Sequence, residues 1–166
     1  MKNSLLTLLT LISLTGAALA DATITLNGVH NCCGGCKNGI TKAVTSVKGA
    51  TAEVDGETVT ITAKNTPTAK KALAALLDAG YSGTGEGITA PETAASERKL
   101  SGATVSGAHL CCGKCVKAVE AALKEVPGIT GSKVESKASE FTVEGEFTEG
   151  ALIAALNKAG FHGKVK

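Results

Sequence analysis

The stretch Val29-His-Asn-Cys-Cys-Gly-Gly-Cys36 decides how this chain is organised, because a close copy returns as Ala108-His-Leu-Cys-Cys-Gly-Lys-Cys115. Together the two stretches hold all 6 cysteines of the 166-residue chain. In each stretch a histidine stands two residues ahead of the first thiol. A disulfide framework normally joins distant segments, so adjacent thiols favour a metal site or a redox site instead.

The two stretches belong to a longer repeat. A shift of 79 residues places Gly28 on Gly107, and a shift of 80 places Asp78-Ala-Gly-Tyr-Ser-Gly83 on Lys158-Ala-Gly-Phe-His-Gly163. The segment between the copies is polar, contains a proline and lacks periodicity, which is typical of a linker. We therefore predict a signal peptide over residues 1–20, a first domain over 21–87, a linker over 88–99 and a second domain over 100–166.

Each copy begins with the pattern of a strand followed by a helix. Ala22, Ile24 and Leu26 alternate with polar residues, which predicts a half-buried strand. After the cysteines, apolar residues recur at spacings of 4, 4 and 3, which predicts one buried helix face. The residues of this stripe are Cys36, Ile40, Val44 and Val47 in the first copy, and Cys115, Val119, Leu123 and Val126 in the second.

Each copy ends with two strands, a second helix and a last short strand. The second helix is expected to be capped at Thr66-Pro67 or at Thr148, and to stop at Gly80 or Gly160. Residues 81–85 are expected to form the final edge strand of the first copy. The resulting order predicts an α+β fold of two ferredoxin-like βαββαβ sandwiches in tandem, each with a four-stranded antiparallel sheet.

Composition excludes one class of partner. The chain has 17 Lys and Arg against 15 Asp and Glu, and no basic stripe stands out. Nucleic acid is therefore not expected as a partner. Hydrophobic residues make up 43% and aromatics only 2%, so the cores must consist mainly of Val, Ile, Leu and Ala.

The N-terminus has the pattern of an export signal. Lys2 is followed by an apolar run from Leu5 to Leu14 and by Ala18-Leu-Ala20, which fits the small-x-small cleavage pattern. The run is too short for a spanning helix, which needs about 20 apolar residues. We therefore expect a periplasmic or secreted protein, cleaved near Ala20, without a membrane anchor.

The two cysteine loops combine thiols with the positive end of a helix. Free backbone N–H groups there stabilise thiolates, the form that binds metals. The two sulfurs of each C-x-x-C motif can converge on one ion; two sulfurs favour Cu(I) or Hg(II), and three with an imidazole suit tetrahedral Zn(II). The candidate metal ligands are Cys33, Cys36, Cys112, Cys115, Cys32, Cys111, His30 and His109.

The succession of strand, glycine, C-x-x-C loop and helix resembles the heavy-metal-associated domain, the family of copper chaperones and of the periplasmic mercury-binding protein. The resemblance extends to the glycines that end the first helices, Gly49 and Gly128, and to the Ala-Gly-aromatic step before the last strand. It implies a ferredoxin-like fold in each copy. It also implies that each C-x-x-C pair binds a soft metal ion.

The loops depart from the family in one respect. The family usually has Met-x-Cys-x-x-Cys, whereas this chain has His-x-Cys-Cys-x-x-Cys. The resemblance therefore assigns no role to His30, Cys32, His109 or Cys111. Their repetition in both loops is the reason for keeping them as candidate ligands.

Three functions remain open from the sequence. The first is an exported, non-enzymatic protein that binds, buffers or transfers Cu(I) or Zn(II), with Hg(II) as a third ion, at a cysteine-rich loop in each domain. Its expected partners are a membrane metal transporter or another metal chaperone. The alternative is a thiol–disulfide redox protein that uses the C-x-x-C motifs. The third is a regulatory or accessory domain pair that delivers its ion to a membrane pump.

Three other aromatic or imidazole side chains are expected to have structural roles. Tyr81 and Phe161 are expected to pack in the core or loops. His162 has no counterpart in the first copy, where Ser82 stands, and is expected at the surface.

Overall fold

The computed structural model describes residues 21–85 and 96–166 of the chain. The predicted signal peptide and residues 88–95 of the predicted linker lie outside these ranges. The two described ranges are referred to below as the N-terminal unit and the C-terminal unit.

The N-terminal unit is a three-stranded antiparallel sheet with two helices. Strand β3 lies in the middle, pairing with β1 and β2, and helix α1 packs against α2 and β2. The predicted alternation in β1 is confirmed, since Leu26 is buried while Thr23 and Thr25 are exposed. The elements are β1 (Ala22–Leu26), α1 (Gly34–Thr45), β2 (Ala50–Asp55), β3 (Thr58–Ala63) and α2 (Thr66–Asp78).

The C-terminal unit has a four-stranded antiparallel sheet, a separate strand pair and two helices. The sheet order is β6-β7-β5-β9, and β4 pairs with β8. The predicted mixed α+β class is thus confirmed. The elements are β4 (Lys99–Leu100), β5 (Ala103–Ser106), α3 (Gly113–Lys124), β6 (Ile129–Lys133), β7 (Glu140–Gly145), β8 (Phe147–Thr148), α4 (Glu149–Lys158) and β9 (Lys164–Val165).

The predicted edge strand over residues 81–85 does not form a regular strand. Only an isolated bridge joins Asn27 to Thr84. The reason is that the first two residues of this segment pair with the other unit instead. Tyr81 forms an antiparallel bridge with Phe161, and the Ser82 amide donates to the Gly160 carbonyl at 2.9 Å.

Of the two predicted N-caps of the second helices, one is found as predicted and the other lies one residue earlier. Thr148 caps α4 as predicted, since its side chain accepts from the amide of Ala151. Helix α2 is capped by Asn65 rather than Thr66, because the Asn65 side chain accepts from the Thr68 amide at 2.9 Å. Asn and Thr are both common N-cap residues, so the residue types alone did not show which of these two neighbours caps the helix.

The described end of the predicted linker is attached to the C-terminal unit. Ser96 and Arg98 both hydrogen-bond to the carboxylate of Glu149, and Arg98 contacts both of its oxygens. Strand β4, which follows Arg98 directly, pairs with β8, which precedes Glu149. Residues 96–99 therefore pack as part of this unit.

The two units share one hydrophobic core. Val29, Tyr81 and Phe161 are fully or almost fully buried at the junction. Two corresponding backbone hydrogen bonds also cross the junction. The Ser82 amide donates to the Gly160 carbonyl, and the His162 amide donates to the Gly80 carbonyl. Within residues 21–85 and 96–166, no helix combines the length and apolar character needed to cross a membrane.

Candidate metal centre

Each cysteine loop ends at the first turn of a helix, which fixes where its thiols lie. Cys33 is the N-cap of α1 and Cys112 the N-cap of α3, both with extended backbones. Three residues on, Cys36 and Cys115 lie in the first helical turn and are completely buried. The C-x-x-C spacing thus places one sulfur at the outer edge of each helix end and one beneath it. Cys33 and Cys112 are called the rim thiols below, and the other four, Cys32, Cys36, Cys111 and Cys115, the inner thiols.

The six thiols of the two loops form a single cluster. All are free cysteines, and nine pairs of their sulfur atoms lie within 3.5–4.0 Å of each other. Five of these pairs join the N-terminal to the C-terminal unit: Cys32–Cys112, Cys32–Cys115, Cys33–Cys111, Cys36–Cys111 and Cys36–Cys115. The sequence predicted one thiol loop per domain, and the fold brings both loops to one place.

The cysteines that depart from the family pattern make most of the contacts across the junction. Cys32 lies 3.8 Å from both Cys112 and Cys115, and Cys111 lies 3.7 Å from Cys33 and 3.5 Å from Cys36. These contacts match under the 79-residue shift. The cluster is therefore close to two-fold symmetric.

Each loop histidine is held by an aromatic ring of the other unit. His30 stacks on Phe161 with ring centroids 4.3 Å apart, and His109 stacks on Tyr81 at 4.4 Å. The Nε2 atoms of both histidines are buried, and no group among the described residues hydrogen-bonds to them. A buried imidazole nitrogen without a partner is costly unless it binds a ligand.

Ring nitrogens and sulfurs converge into sets suited to a metal ion. One set is His30, Cys32, Cys36 and Cys115; a second is His109, Cys111, Cys115 and Cys36, with all donor atoms of a set within 4.8 Å of one another. A third set, with the same spacing, consists of Cys32, Cys33 and Cys112. All eight sequence-predicted ligands therefore meet in the same centre.

The rim thiols ionise most readily. Backbone N–H groups of Cys115 and Lys114 at the start of α3 lower the pKa of Cys112 to about 6. The amides of Cys36 and Gly35 likewise lower the pKa of Cys33. Helix N-termini stabilise thiolates in this way. Cys112 is thus mostly a thiolate at neutral pH in the free protein, and the pKa of Cys33 is shifted in the same direction.

Burial favours the neutral forms of three thiols and of both loop histidines. Burial is the main cause that raises the pKa of Cys32, Cys36 and Cys111. Burial also lowers the pKa of His30 and His109, which keeps both imidazoles neutral and able to bind a cation. A bound cation would stabilise the inner thiolates and displace their protons.

Several residues around the centre were given no role in it by the sequence. Tyr81 and Phe161 pack as expected, but each also orients a histidine of the other unit, and the Tyr81 hydroxyl donates to the Cys36 carbonyl at 3.1 Å. The repeated Ala-Gly-aromatic step was the available signal. His162 is half-buried at the junction rather than a surface residue, because its amide donates to the Gly80 carbonyl at 3.0 Å.

Part of the C-terminal unit matches a known protein family. Residues 104–162 match the family model described as "Heavy-metal-associated domain". These residues include His109 and all three cysteines of the second loop. One heavy-metal-associated domain is thereby identified in the chain.

A curated relative extends the similarity. Over 135 residues the chain is 33% identical to "Copper-transporting ATPase 2" of Rhizobium meliloti (strain 1021). The alignment covers 78% of this chain but only 14% of the relative, so the chain corresponds to a small part of that protein.

A solved structure was also matched. It is the solution structure of the N-terminal soluble domains of Bacillus subtilis CopA, with 19% identity and a TM-score of 0.31. The match covers 89% of this chain and 95% of the other.

Proposed function

We propose that this protein is an exported, non-enzymatic protein that binds a soft metal ion at the six-thiol centre and buffers it or passes it to a partner. The observation that carries the proposal is the convergence of six free thiols, with sulfur contacts of 3.5–4.0 Å, beside two imidazoles. The Nε2 atoms of these imidazoles have no hydrogen-bond partner among the residues that the structure describes. Thiolates select soft ions such as Cu(I) and Zn(II) over hard ones.

Cu(I) is the first candidate cargo and Zn(II) the second. The relative named as a copper-transporting ATPase favours Cu(I). The histidines add a fourth donor to sets of three sulfurs, which is the ligand set of a structural Zn(II) site. Hg(II) is a third thiophilic ion that the C-x-x-C pairs would accept.

The N-terminal unit is proposed as a second heavy-metal-associated domain. Its described elements follow the order β-α-β-β-α, and its C-x-x-C motif occupies the same position at the start of the first helix. The alignment with the relative spans 135 residues, more than the C-terminal unit contains, so it extends into this unit.

Transfer is proposed to begin at the rim of the centre. Cys33 is exposed, and Cys112 is only partly buried. An incoming thiolate from a membrane metal transporter or another chaperone would reach these sulfurs before the buried Cys36 and Cys115. Export is proposed from the pattern of residues 1–20, and a periplasmic or secreted location follows from it.

The test is an anaerobic titration of the reduced chain, residues 21–166, with Cu(I) and with Zn(II) against competing chelators. We expect tight binding of at least one ion, with the stronger preference identifying the cargo. A variant with all six cysteines replaced by serine is the control and should bind neither ion tightly. If the reduced wild type binds neither ion tightly and its thiols oxidise readily to disulfides, the redox alternative would replace this proposal.

A further inference from the structure

The two four-donor sets of the centre have two thiols in common. Cys36 and Cys115 belong to both sets, one of which is completed by His30 and Cys32 and the other by His109 and Cys111. The shared thiols come from different units. An ion in either set would therefore be bound by both halves of the chain.

The sulfur spacings match metal–thiolate bonds in both sets. Cys32, Cys36 and Cys115 form a triangle with edges of 3.7, 3.8 and 3.9 Å. The matching triangle of Cys111, Cys115 and Cys36 has edges of 3.5, 3.5 and 3.9 Å. The centre of such a triangle lies about 2.1 to 2.2 Å from each sulfur, close to the metal–sulfur bond of about 2.3 Å. Each triangle also has its own imidazole as a fourth donor.

The two triangles share the Cys36–Cys115 edge, and this edge is completely buried. Two ions can occupy the triangles only if both of these thiolates bridge them.

Charge favours two ions over one. Four inner thiolates carry four negative charges, which two Zn(II) ions neutralise and two Cu(I) ions halve, whereas buried charge without compensation is costly.

We propose that the protein binds two soft metal ions in one binuclear centre, in which the thiolates of Cys36 and Cys115 bridge the ions. His30 and Cys32 would be the terminal ligands of one ion, and His109 and Cys111 those of the other. This inference rests on the proposed function, since it requires that the cluster binds metal. It replaces two independent one-ion sites with a single centre that needs both units.

The rim thiols allow a matched comparison within the same motifs. Cys112 belongs to neither four-donor set, although it lies three residues from Cys115 in the same C-x-x-C motif. The same relationship holds for Cys33 and Cys36. If the two domains bound separate ions at their C-x-x-C pairs, both cysteines of a pair would matter equally, and only for their own domain.

The experiment compares wild type, Cys115→Ser and Cys112→Ser as residues 21–166, loaded separately with Cu(I) and Zn(II). Native mass spectrometry counts the ions, and X-ray absorption detects metal–metal scattering. We expect two ions in the wild type, with a metal–metal distance below about 4 Å, as in other two-metal sites. Cys115→Ser should weaken binding of both ions by more than roughly 100-fold. That is the upper end of the loss in affinity when a residue that only hydrogen-bonds to a metal ligand is mutated. Cys112→Ser, which removes a thiol outside both four-donor sets, should still bind two ions and lose less affinity than Cys115→Ser. An equal loss in the two variants would contradict the bridging role of Cys115.

The outcomes separate the inference from the function. No tightly bound ion in the wild type would overturn the proposed function itself. Tight binding of one ion, of more than two, or of two ions without metal–metal scattering would overturn only the binuclear centre. So would a Cys115→Ser variant that retains one ion at wild-type affinity. X-ray absorption on the wild type decides whether the thiolates bridge the ions, so the test holds even if a variant fails to fold. Cys36→Ser provides a second variant in which a bridging thiol is removed.

Discussion

The sulfur atoms of Cys36 and Cys115 lie 3.9 Å apart, although 79 positions separate the two residues in the chain. Each lies in the first turn of a helix, α1 or α3, so two helix N-termini meet at one cluster of thiols. The partial positive charge of both helix ends therefore acts on the same group of sulfurs. This arrangement favours the thiolates of Cys33 and Cys112, whereas burial raises the pKa of Cys36.

The rim thiols are expected to react with iodoacetamide first in the reduced, metal-free protein. A lowered pKa makes the thiolate, the reactive form, abundant at lower pH, so Cys112 should reach half of its maximal rate near pH 6. Cys33 should follow the same trend, while Cys32 and Cys111 remain slow at pH 7. Peptide mapping by mass spectrometry over pH 5 to 9 measures each rate. Equal rates for rim and inner thiols at pH 7 would contradict the assignment.

His30→Ala is expected to weaken Zn(II) binding more than Cu(I) binding. Zn(II) prefers four donors and the variant leaves three sulfurs in that set, whereas Cu(I) is satisfied by fewer. Chelator competition with each ion measures the difference. His162→Ala is the matched control, because His162 belongs to none of the metal-binding sets found within residues 21–85 and 96–166. The His162→Ala variant should bind both ions as the wild type does. An equal loss for both ions in His30→Ala would show that the imidazole does not select the metal.

Gly39 and Tyr81 are expected to be energetically coupled. A Cβ on Gly39 would lie 2.3 Å from the Tyr81 hydroxyl oxygen, so Gly39→Ala should lower the free energy of unfolding by about 1 to 3 kcal/mol. Tyr81→Phe alone loses the bond to the Cys36 carbonyl, about 1 kcal/mol. The corresponding residues of the second copy are Ala118 and Phe161.

The double variant Gly39→Ala/Tyr81→Phe should therefore recover most of the stability that Gly39→Ala loses, because the ring no longer has a hydroxyl where the new methyl lies. Urea denaturation of the four proteins gives the coupling energy. Simple additivity of the two single effects would contradict the contact.

Gly160→Ala is expected to separate the two units. Its Cβ would lie 2.2 Å from the His30 amide nitrogen and 2.5 Å from the Gly28 carbonyl oxygen. Both are backbone atoms, which cannot rotate away as the end of a flexible side chain can. The amides of Ser82 and His162, which donate across the junction, should then exchange with deuterium much faster. Exchange measured by NMR at these two amides reports the docking directly.

The control for Gly160→Ala is Gly56→Ala. Gly56 also has a positive φ, of 55°, but no described atom lies within 4 Å of its Cβ position. This variant should pay only the backbone strain of about 1 to 2 kcal/mol and keep the protection of both amides. Equal loss of protection in the two variants would mean that strain, not the junction, controls the exchange.

The Arg98–Glu149 pair is expected to make stability depend on pH at the acid side. Hydrogen bonds from Arg98 and Ser96 lower the pKa of Glu149 below its ordinary value of 4.5. The stabilisation is therefore complete above that value and is lost as the pH falls through the lower pKa of the folded state. Because Arg98 is about half exposed, we expect about 1 kcal/mol. Denaturation at pH 7 and pH 3 should show a smaller difference for Glu149→Gln than for the wild type, and an unchanged difference would contradict the role of the pair.

Much of each unit could be predicted because the signals are local. The spacing of Cys36, Ile40 and Val44 predicts the buried face of α1, and all three are fully buried. Gly80 and Gly160 follow the last helices with φ near 90°, as a helix stop requires. Periodicity and capping depend on residues within a few positions of each other, and the sequence carries them directly.

The features that failed or were missed depend on distant partners. Residues 81–85 have the composition of an edge strand, yet their backbone pairs with Phe161 and Gly160 of the other unit. His162 has a polar side chain next to the C-terminus, yet the same pairing half-buries it. Neither outcome can be predicted from the residues next to it in the chain.

By itself, the sequence determined the chemistry of the protein: six thiols and two imidazoles, placed in two loops at the starts of helices. Only the tertiary structure decided that these loops form one centre. Close approach of Gly80 and Gly160 to the opposite loops, and stacking of Tyr81 and Phe161 on the opposite histidines, bring the two sets of thiols into contact. These contacts join residues that are about 30 or about 130 positions apart, and the sulfurs of Cys36 and Cys115 are 79 positions apart. All of them depend on packing between two folded units, which no local pattern of residues encodes.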